Sequence, residues 1–390
     1  MNILFLTHLY LPALGGVQRS VHNLAGELTR RGHRVIVASH GDAPYRYRTV
    51  APAPVLPLIV PDPFDPRPSK AVQRAFLDAA NLLALIALCI WKRIDLVHCH
   101  LINADTRYAA ALQRLLGVKL VITLRGSELH AWIAHKQHRR AYVQRMIESA
   151  DAVTALSQSQ MDHAIALAPG IAPDSLVITN PADPHAIRRQ AAAGHGPDAP
   201  ASYILCSGRL EYPKRVDVLI DAYHGLIEES PDFAHDLVIA GDGELRADLE
   251  ERARSGPGAS RIHFSGARQY AESLALIREA AMLVLSSESE GCPNVILEAM
   301  SLETPVIVSD IRPLLELVTQ GVNGEVFRSG DRASLRRAVL DLSESAEKRS
   351  QYAAAGLNYL ASRHRFDLIG DAYEALYARL KSGPVSNQRE

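Results

Sequence analysis

Short runs of aliphatic and β-branched residues alternate along this chain with longer stretches whose apolar positions recur every three or four residues. That alternation predicts parallel strands joined by crossover helices. In the first half the strand-like runs are ILFLTH, RVIVASH, DLVHCH, KLVITLRG, DAVTALS and SLVITN. AAAGHGPDAPAS, residues 191 to 202, has the Ala/Gly/Pro composition of a linker. The pattern restarts with YILCSGRL, DLVIAGDGE, RIHFSG, MLVLSSES, PVIVSD and GEVF. Two doubly wound α/β domains are expected, 1–190 and 202–364, with a terminal helix over 365–382. LLALIALCIW, residues 82 to 91, is the most apolar run. About ten residues are too few to span a bilayer that needs roughly twenty, so a buried helix is predicted.

With 390 residues the chain exceeds one ordinary core, which agrees with two domains. A hydrophobic share of 47% against 22% charged residues excludes a disordered or fibrous protein. The net charge of −1 conceals an asymmetry. Residues 1–175 hold 19 Lys/Arg against 12 Asp/Glu, and the remainder 23 against 31. A basic first half suits an anionic partner or membrane face, and equally suits solvated helix faces. No nucleic-acid motif is present. The four cysteines lack paired spacing, so neither a disulfide framework nor a zinc motif is indicated, and a cytoplasmic setting is expected. MNILFLTHLY reads as a first strand and not as a signal peptide. Disorder is expected only in the tail, KSGPVSNQRE.

Ligands of open α/β sheets bind beyond the carboxyl ends of the strands, which directs attention to the polar residues there. After the first strand, Gly15 and Gly16 precede a helix with Val17, Val21, Leu24, Ala25 and Leu28 on one stripe and Gly32 as a stop. Such glycines let backbone amides approach an anion at the helix N-terminus, although a tight turn needs them too. DLVHCH puts His98 and His100 on one strand face with Cys99 opposite, and His100 nearer the strand end. No further ligand stands at metal spacing beside this pair. Arg125 and Glu128 close the strand KLVITLRG; Glu128 either orients an acceptor or caps the next helix.

In the second half, Arg209 and Lys214 flank the first strand end, where two cations suit a diphosphate. Gly243 and Glu244 in AGDGE and Arg268 in FSGAR occupy comparable turns. SESEGCPNVILEAM then places Glu290 and Glu298 eight positions apart. Pro293 suits the first helical position, so the free amides about Gly291, Cys292, Pro293, Asn294 and Val295 suit a phosphate. Glu298 is about five residues further, roughly 7 Å at 1.5 Å per residue, a reach from phosphate to ribose hydroxyls. Carboxylates accept charge-assisted hydrogen bonds from such hydroxyls. No DxD occurs, which argues against a metal-held diphosphate.

These stretches, in this order, resemble the retaining glycosyltransferases of family 4, group 1 glycosyltransferases built on the GT-B fold. The resemblance runs from PALGGVQRSVHNLAGELTRRGHRV through DLVHCH, TLRGSE, SGRLEYPKRVD, AGDGEL, FSG and EGCPNVILEAM to PVIVSD. EGCPNVILEAM is its most specific part, similar to the family's two glutamates separated by seven residues. The resemblance implies two Rossmann-like domains facing a central cleft, with the final helix, RHRFDLIGDAYEALYARL, returning to the first. It implies that Arg209 and Lys214 bind the donor diphosphate, Glu298 the ribose and Glu290 the transferred sugar. His100 would lie near that sugar, with Gly15 and Gly16 beneath the phosphates. No metal and no cofactor are implied. The chain departs from the family where Glu303 and Thr304 precede Pro305, a glycine being usual, where IRPLLE replaces GGxxE, and where Glu128 and Cys292 stand for aspartate and an aromatic.

The expected activity is retaining transfer of a hexose or hexosamine from a nucleoside diphosphate sugar, UDP-linked first and GDP-linked second. The acceptor is a glycan, lipid-linked or small-molecule hydroxyl. A sugar-nucleotide epimerase and a non-catalytic carbohydrate-binding protein are the alternatives. The basic stretch HKQHRRAYVQR, residues 135 to 145, invites peripheral contact with an anionic membrane, against a solvated helix face.

Overall fold

The computed structural model describes residues 1–10, 15–41, 46–48, 51–59, 71–129, 137–194 and 199–382, with the backbone alone at 71–74 and 127. Parts of the predicted glycine loop (11–14), basic stretch (135–136), linker (195–198) and tail (383–390) lie outside these residues.

The chain forms two units, Met1–Pro181 with Phe366–Glu390, and Ala182–Arg365. The first runs β1 (Asn2–Thr7), α1 (Gly16–Arg30), β2 (Arg34–His40), β3 (Val55–Leu58), α2 (Ala71–Lys92), β4 (Leu96–His100), α3 (Thr106–Leu116), β5 (Lys119–Thr123), α4 (Gln137–Ser149), β6 (Ala152–Ala155), α5 (Gln158–Leu167) and β7 (Leu176–Val177). Its seven strands are ordered β3-β2-β1-β4-β5-β6-β7, and every pairing is parallel. Parallel strands are covered on both faces, which is why the runs are continuously apolar. Alternate residues of β1 serve opposite cores. Leu4 and Leu6 join the side chains of α2 to α5, and Ile3 and Phe5 join Val21, Leu24, Ala25 and Leu28 of α1. Gly32, at φ 88°, ends α1 as expected.

The second unit runs α6 (Pro184–Ala193), β8 (Tyr203–Ser207), α7 (Val216–Glu229), β9 (Asp236–Ala240), α8 (Arg246–Arg254), β10 (Ile262–Gly266), α9 (Tyr270–Glu279), β11 (Met282–Leu285), α10 (Asn294–Ser301), β12 (Val306–Ser309), α11 (Arg312–Leu315), β13 (Glu325–Phe327), α12 (Arg332–Ser343) and α13 (Ala346–Arg363). Its parallel sheet has the order β10-β9-β8-β11-β12-β13. The last helix, α14 (Phe366–Ser382), belongs to the first unit and seals its α1 face with Ile369, Tyr373, Leu376 and Tyr377.

Three expectations need correction. The unit boundary falls at 181/182 and not within 191–202, because α6 packs on α9 and α10. Arg188 there donates to the Ser301 carbonyl at 2.8 Å. β3 was not foreseen, since Pro57 interrupts VLPL; an edge strand tolerates the missing donor. LLALIALCIW is not a buried helix of ten residues but the end of the 22-residue α2. Leu85, Leu88 and Cys89 are buried, whereas Phe76, Leu83, Ile90 and Trp91 are 72%, 66%, 64% and 66% exposed. Its window Ala75–Lys92 is long and apolar enough to cross a membrane by length and composition. Asn81, fully buried, instead ties α2 to the sheet through the Ile59 amide and carbonyl, at 3.1 and 2.7 Å.

Candidate active site

In the second unit, glycines bring the ends of β8 and β9 into contact. A Cβ on Gly241 would lie 1.8 Å from the Gly208 carbonyl oxygen, and one on Gly243 2.5 Å from that of Leu210. Leu210 and Asp242 are joined by a 2.9 Å backbone hydrogen bond. Gly243 therefore serves close backbone packing, while Glu244 beside it is exposed. Arg268, after β10, is half-buried, with its Nε lacking a hydrogen-bond partner among the described residues.

Beyond Leu210 the chain makes a short 3-10 turn, Tyr212–Lys214, and Arg215 reverses it at φ 47°. This turn is stitched to the loop after β11. Ser286 Oγ lies 2.9 Å from the carbonyls of both Lys214 and Arg215, and the Glu288 amide donates to the Pro213 carbonyl at 2.8 Å. Arg215 pairs with Glu288 at 2.8 Å. Held this way, Lys214 Nζ donates to Glu290 Oε1 at 2.6 Å, and Ser287 Oγ donates to the same oxygen at 2.6 Å. Arg209 does not join this pair; it is exposed and donates to Glu211 at 2.6 Å.

Gly291, Cys292 and Pro293 are buried, leading into α10. Pro293 occupies the N-cap, with extended backbone, and Asn294 is the first helical residue. The helix thus starts one residue later than expected. Asn294, Val295 and Glu298 are half-buried, Glu298 lying one turn after Asn294. The departure at Glu303 has a physical consequence: its φ of 61° is left-handed, the conformation for which glycine is suited.

In the first unit, the His98 and His100 rings stand 4.2 Å apart on one face of β4, and Cys99 joins the opposite core. His98 lies between Tyr377 Oη at 2.7 Å and Thr123 Oγ1 at 2.6 Å, and Thr123 contacts Thr154 Oγ1 at 2.6 Å. Burial, assisted by the Arg125 charge, pushes the His98 pKa well below its ordinary value. His100 is depressed likewise by burial, with His98 and Arg125 adding to the effect. Arg125 Nη2 donates to His100 Nδ1 at 3.0 Å, so the neutral ring carries its proton on Nε2. That buried Nε2 has no hydrogen-bond partner among the described residues.

Within the protein, the polar atoms of Arg125 and Glu128 hold neighbouring residues. Arg125 also holds Asn180 Oδ1 at 3.0 Å. Both Glu128 oxygens accept backbone amides, of Arg125 at 2.6 Å and Gly126 at 2.8 Å. Glu128 is buried, and desolvation raises its pKa despite those amides. The two residues shape the loop that aims Arg125 at His100. Gly15 caps α1 with near-extended backbone and Gly16 is its first residue, both exposed. The chain from Thr154 to Tyr377 was missed; its only sequence signal is threonine at successive strand ends of otherwise apolar runs.

The profile of the "Glycosyl transferases group 1" matches residues 188–358, and that of "Glycosyltransferase Family 4" matches residues 14–186. Glycogen synthase of Mycobacterium tuberculosis is 28% identical over 405 residues, covering 98% of this chain and 96% of that protein. Alpha-D-kanosaminyltransferase of Streptomyces kanamyceticus is 25% identical, covering 73% and 76%. Among solved structures, sucrose-phosphate synthase of Thermosynechococcus elongatus superposes with a TM-score of 0.77 at 18% identity, covering 98% and 100%. Anabaena Alr3699/HepE, solved with UDP-glucose, superposes with 0.74 at 20% identity, covering 97% and 100%. With both halves matched in sequence and two Rossmann-like sheets in the fold, the chain belongs to the group 1 glycosyltransferases of GT-B fold.

Proposed function

We propose that this glycosyltransferase moves a hexose or hexosamine from a nucleoside diphosphate sugar, preferably UDP-linked, to a hydroxyl of a glycan, lipid-linked or small acceptor, with retention. The observation that carries this reading is the Lys214–Glu290 pair, a cation and an acid held at 2.6 Å at adjacent strand ends. A donor diphosphate takes Lys214 and Arg209, the first-turn amides of α10 assist, and Glu298 accepts ribose hydroxyls. Glu290 then accepts hydroxyls of the transferred sugar. The acceptor oxygen bonds to the anomeric carbon on the face from which the diphosphate leaves, and the acceptor proton passes to the departing phosphate oxygen. Cationic side chains stabilise that leaving group, so no metal is needed there. The UDP-glucose complex of the Anabaena protein supports a UDP-sugar donor, and the likeness to mycobacterial glycogen synthase supports a glycan acceptor.

The test incubates the protein with UDP-glucose, UDP-N-acetylglucosamine and GDP-mannose and reads free nucleoside diphosphate with and without acceptor. Acceptor-dependent release that disappears in Lys214→Ala is expected. A rearranged sugar nucleotide without acceptor would mean an epimerase, and binding of sugar alone without turnover would mean a binding protein.

One observation favours membrane contact as well: the exposed apolar stripe of α2 lies on the same sheet face as the basic α4. A lipid-linked or membrane-borne acceptor fits that surface.

A further inference from the structure

We propose that His8, His40 and Asp105 form a divalent-metal site in the first unit, favouring zinc over magnesium and calcium and made of residues other than those assigned to the donor. The three residues are far apart in sequence and adjacent in the sheet. His8 follows β1, His40 closes β2, and Asp105 precedes α3 just after β4; the strand order β2-β1-β4 makes these three ends neighbours.

His40 Nε2 stands 3.1 Å and His8 Nδ1 3.4 Å from Asp105 Oδ2, and the three donor atoms all lie within 4.8 Å of one another. Zinc bonds of about 2.0 to 2.1 Å in a tetrahedron put ligand atoms roughly 3.3 Å apart, which is the spacing of the two nitrogens from the carboxylate oxygen. As hydrogen bonds the same contacts are poor, since charge-assisted N–H···O pairs close to about 2.7 to 2.9 Å. His40 makes the point most clearly. Its side chain is only 4% exposed, yet neither ring nitrogen has a hydrogen-bond partner among the described residues. A buried imidazole whose one close polar contact is this ill-aligned approach to Asp105 carries a desolvation penalty that a metal bond removes.

Among the described residues the Asp105 carboxylate has the two imidazoles as its only partners. The residue stands at the N-cap of α3, but its side chain makes no capping hydrogen bond, and its own amide donates to Asn103 Oδ1 at 2.9 Å. The His8 side chain is 48% exposed, so the cluster opens to solvent on one side. Two imidazoles and one carboxylate with a fourth position left to water form a donor set that suits zinc better than magnesium or calcium, which prefer oxygen throughout. The site sits at the carboxyl edge of the sheet, beside the point where strand order reverses between β1 and β4, and there a bound metal would tie three loops together.

The experiment needs neither donor nor acceptor, so its result is independent of the reading given for the second unit. The full chain is stripped with a chelator, titrated with Zn2+ alone by calorimetry, and titrated with Co2+ while visible absorption is recorded. One equivalent bound with at least micromolar affinity is expected, together with cobalt bands of a four-coordinate site. His8→Ala and Asp105→Asn should each weaken Zn2+ binding at least tenfold, with circular dichroism and the metal-free melting curve as checks that both variants fold. His8 is half-exposed, so its variant keeps the test decisive if Asp105→Asn fails to fold. Absence of one-equivalent binding in the native chain overturns the proposal, leaving an Asp–His cluster without metal. Binding of undiminished affinity in His8→Ala overturns it too.

Discussion

Tyr377 Oη and His98 Nδ1 meet at 2.7 Å across 279 positions of sequence, joining the last helix to the strand that carries His100. Both side chains are fully buried, and the His98 ring lies against that of His100. α14 is also held at its solvent side, where Arg31 meets Asp371 and Glu374 at 2.6 Å each. Removing the phenol oxygen leaves a buried ring nitrogen unsatisfied, which costs about 1 to 3 kcal/mol. Tyr377→Phe should therefore lower the urea midpoint of the native chain, while Asp371→Ala, losing an exposed pair, should change it little. Equal midpoints for Tyr377→Phe and the native chain would exclude a structural role for this contact.

The same buried pair makes stability depend on pH. His98 and His100 have depressed folded pKa values, so between the ordinary imidazole range near 6.5 and those lower values the unfolded chain binds protons that the folded chain does not. The stabilisation is complete above about pH 6.5 and is lost progressively as pH falls, at up to about 1.4 kcal/mol per unit for each histidine. Unfolding free energy by denaturant should decline from pH 7.5 to 5.5, and His98→Gln should flatten that slope. A slope unchanged by the substitution would place the proton uptake elsewhere.

Lys214 is the cation whose loss should matter most for turnover. Lys214→Ala is expected to lower kcat about 10² to 10³-fold, the scale of removing one group that stabilises developing charge. Arg209→Ala should cost less than Lys214→Ala, because Arg209 is exposed and already paired with Glu211. Initial rates with a saturating sugar nucleotide decide the order. Turnover of Lys214→Ala within about twofold of native would remove it from the chemistry.

Much of this was legible beforehand, and the exceptions share a cause. Parallel strands with two covered faces read as unbroken apolar runs, so twelve strands were recognised, and β3, short and holding Pro57, was not. Sequence places Glu290 and Lys214 at strand ends, but their direct pairing depends on Ser286 joining two loops 72 residues apart and on Ser287 holding Glu290 within its own loop. An acid after a strand is ambiguous between orienting an acceptor and capping a helix, and in the fold burial turns both Glu128 oxygens onto the backbone amides of Arg125 and Gly126. His8, His40 and Asp105 carry no spacing that a sequence can display, since strand order alone brings them together.

Glu303 tests a departure from the family pattern. A left-handed residue other than glycine costs roughly 1 to 2 kcal/mol, and its ion pair with Arg188, half-exposed on both sides, offsets only a few tenths. A β-branched residue fits that backbone worse still. Glu303→Val should lose at least about 1 kcal/mol, where surface changes ordinarily stay within about 0.5, and Glu303→Gly should match or exceed the native chain. Thermal melts of the two variants rank them. Equal melting of Val and Gly variants would contradict the left-handed assignment.

The surface of α2 separates a membrane-associated transferase from a freely soluble one. Phe76, Leu83 and Ile90 recur every seven residues on the exposed side, and the helix ends in Trp91 and Lys92, with the ammonium 3.4 Å above the indole ring. An apolar stripe bounded by an aromatic and cations is the composition of a helix that lies in a bilayer interface. Arg139, Arg140 and Arg145 of α4 add charge on the same sheet face, where Val143 of that helix and Leu88 of α2 enter one core. Burying a leucine-sized side chain is worth about 1.5 to 3 kcal/mol, so replacing two of them by acids should cut partitioning by well over tenfold. The native chain is therefore expected to float with vesicles containing phosphatidylglycerol and much less with phosphatidylcholine alone. Leu83→Glu with Ile90→Glu should stay at the bottom of the gradient while melting as the native chain does, because neither side chain contributes to the core. Flotation that ignores lipid charge, or that survives both substitutions, would assign the stripe to something other than an anionic membrane.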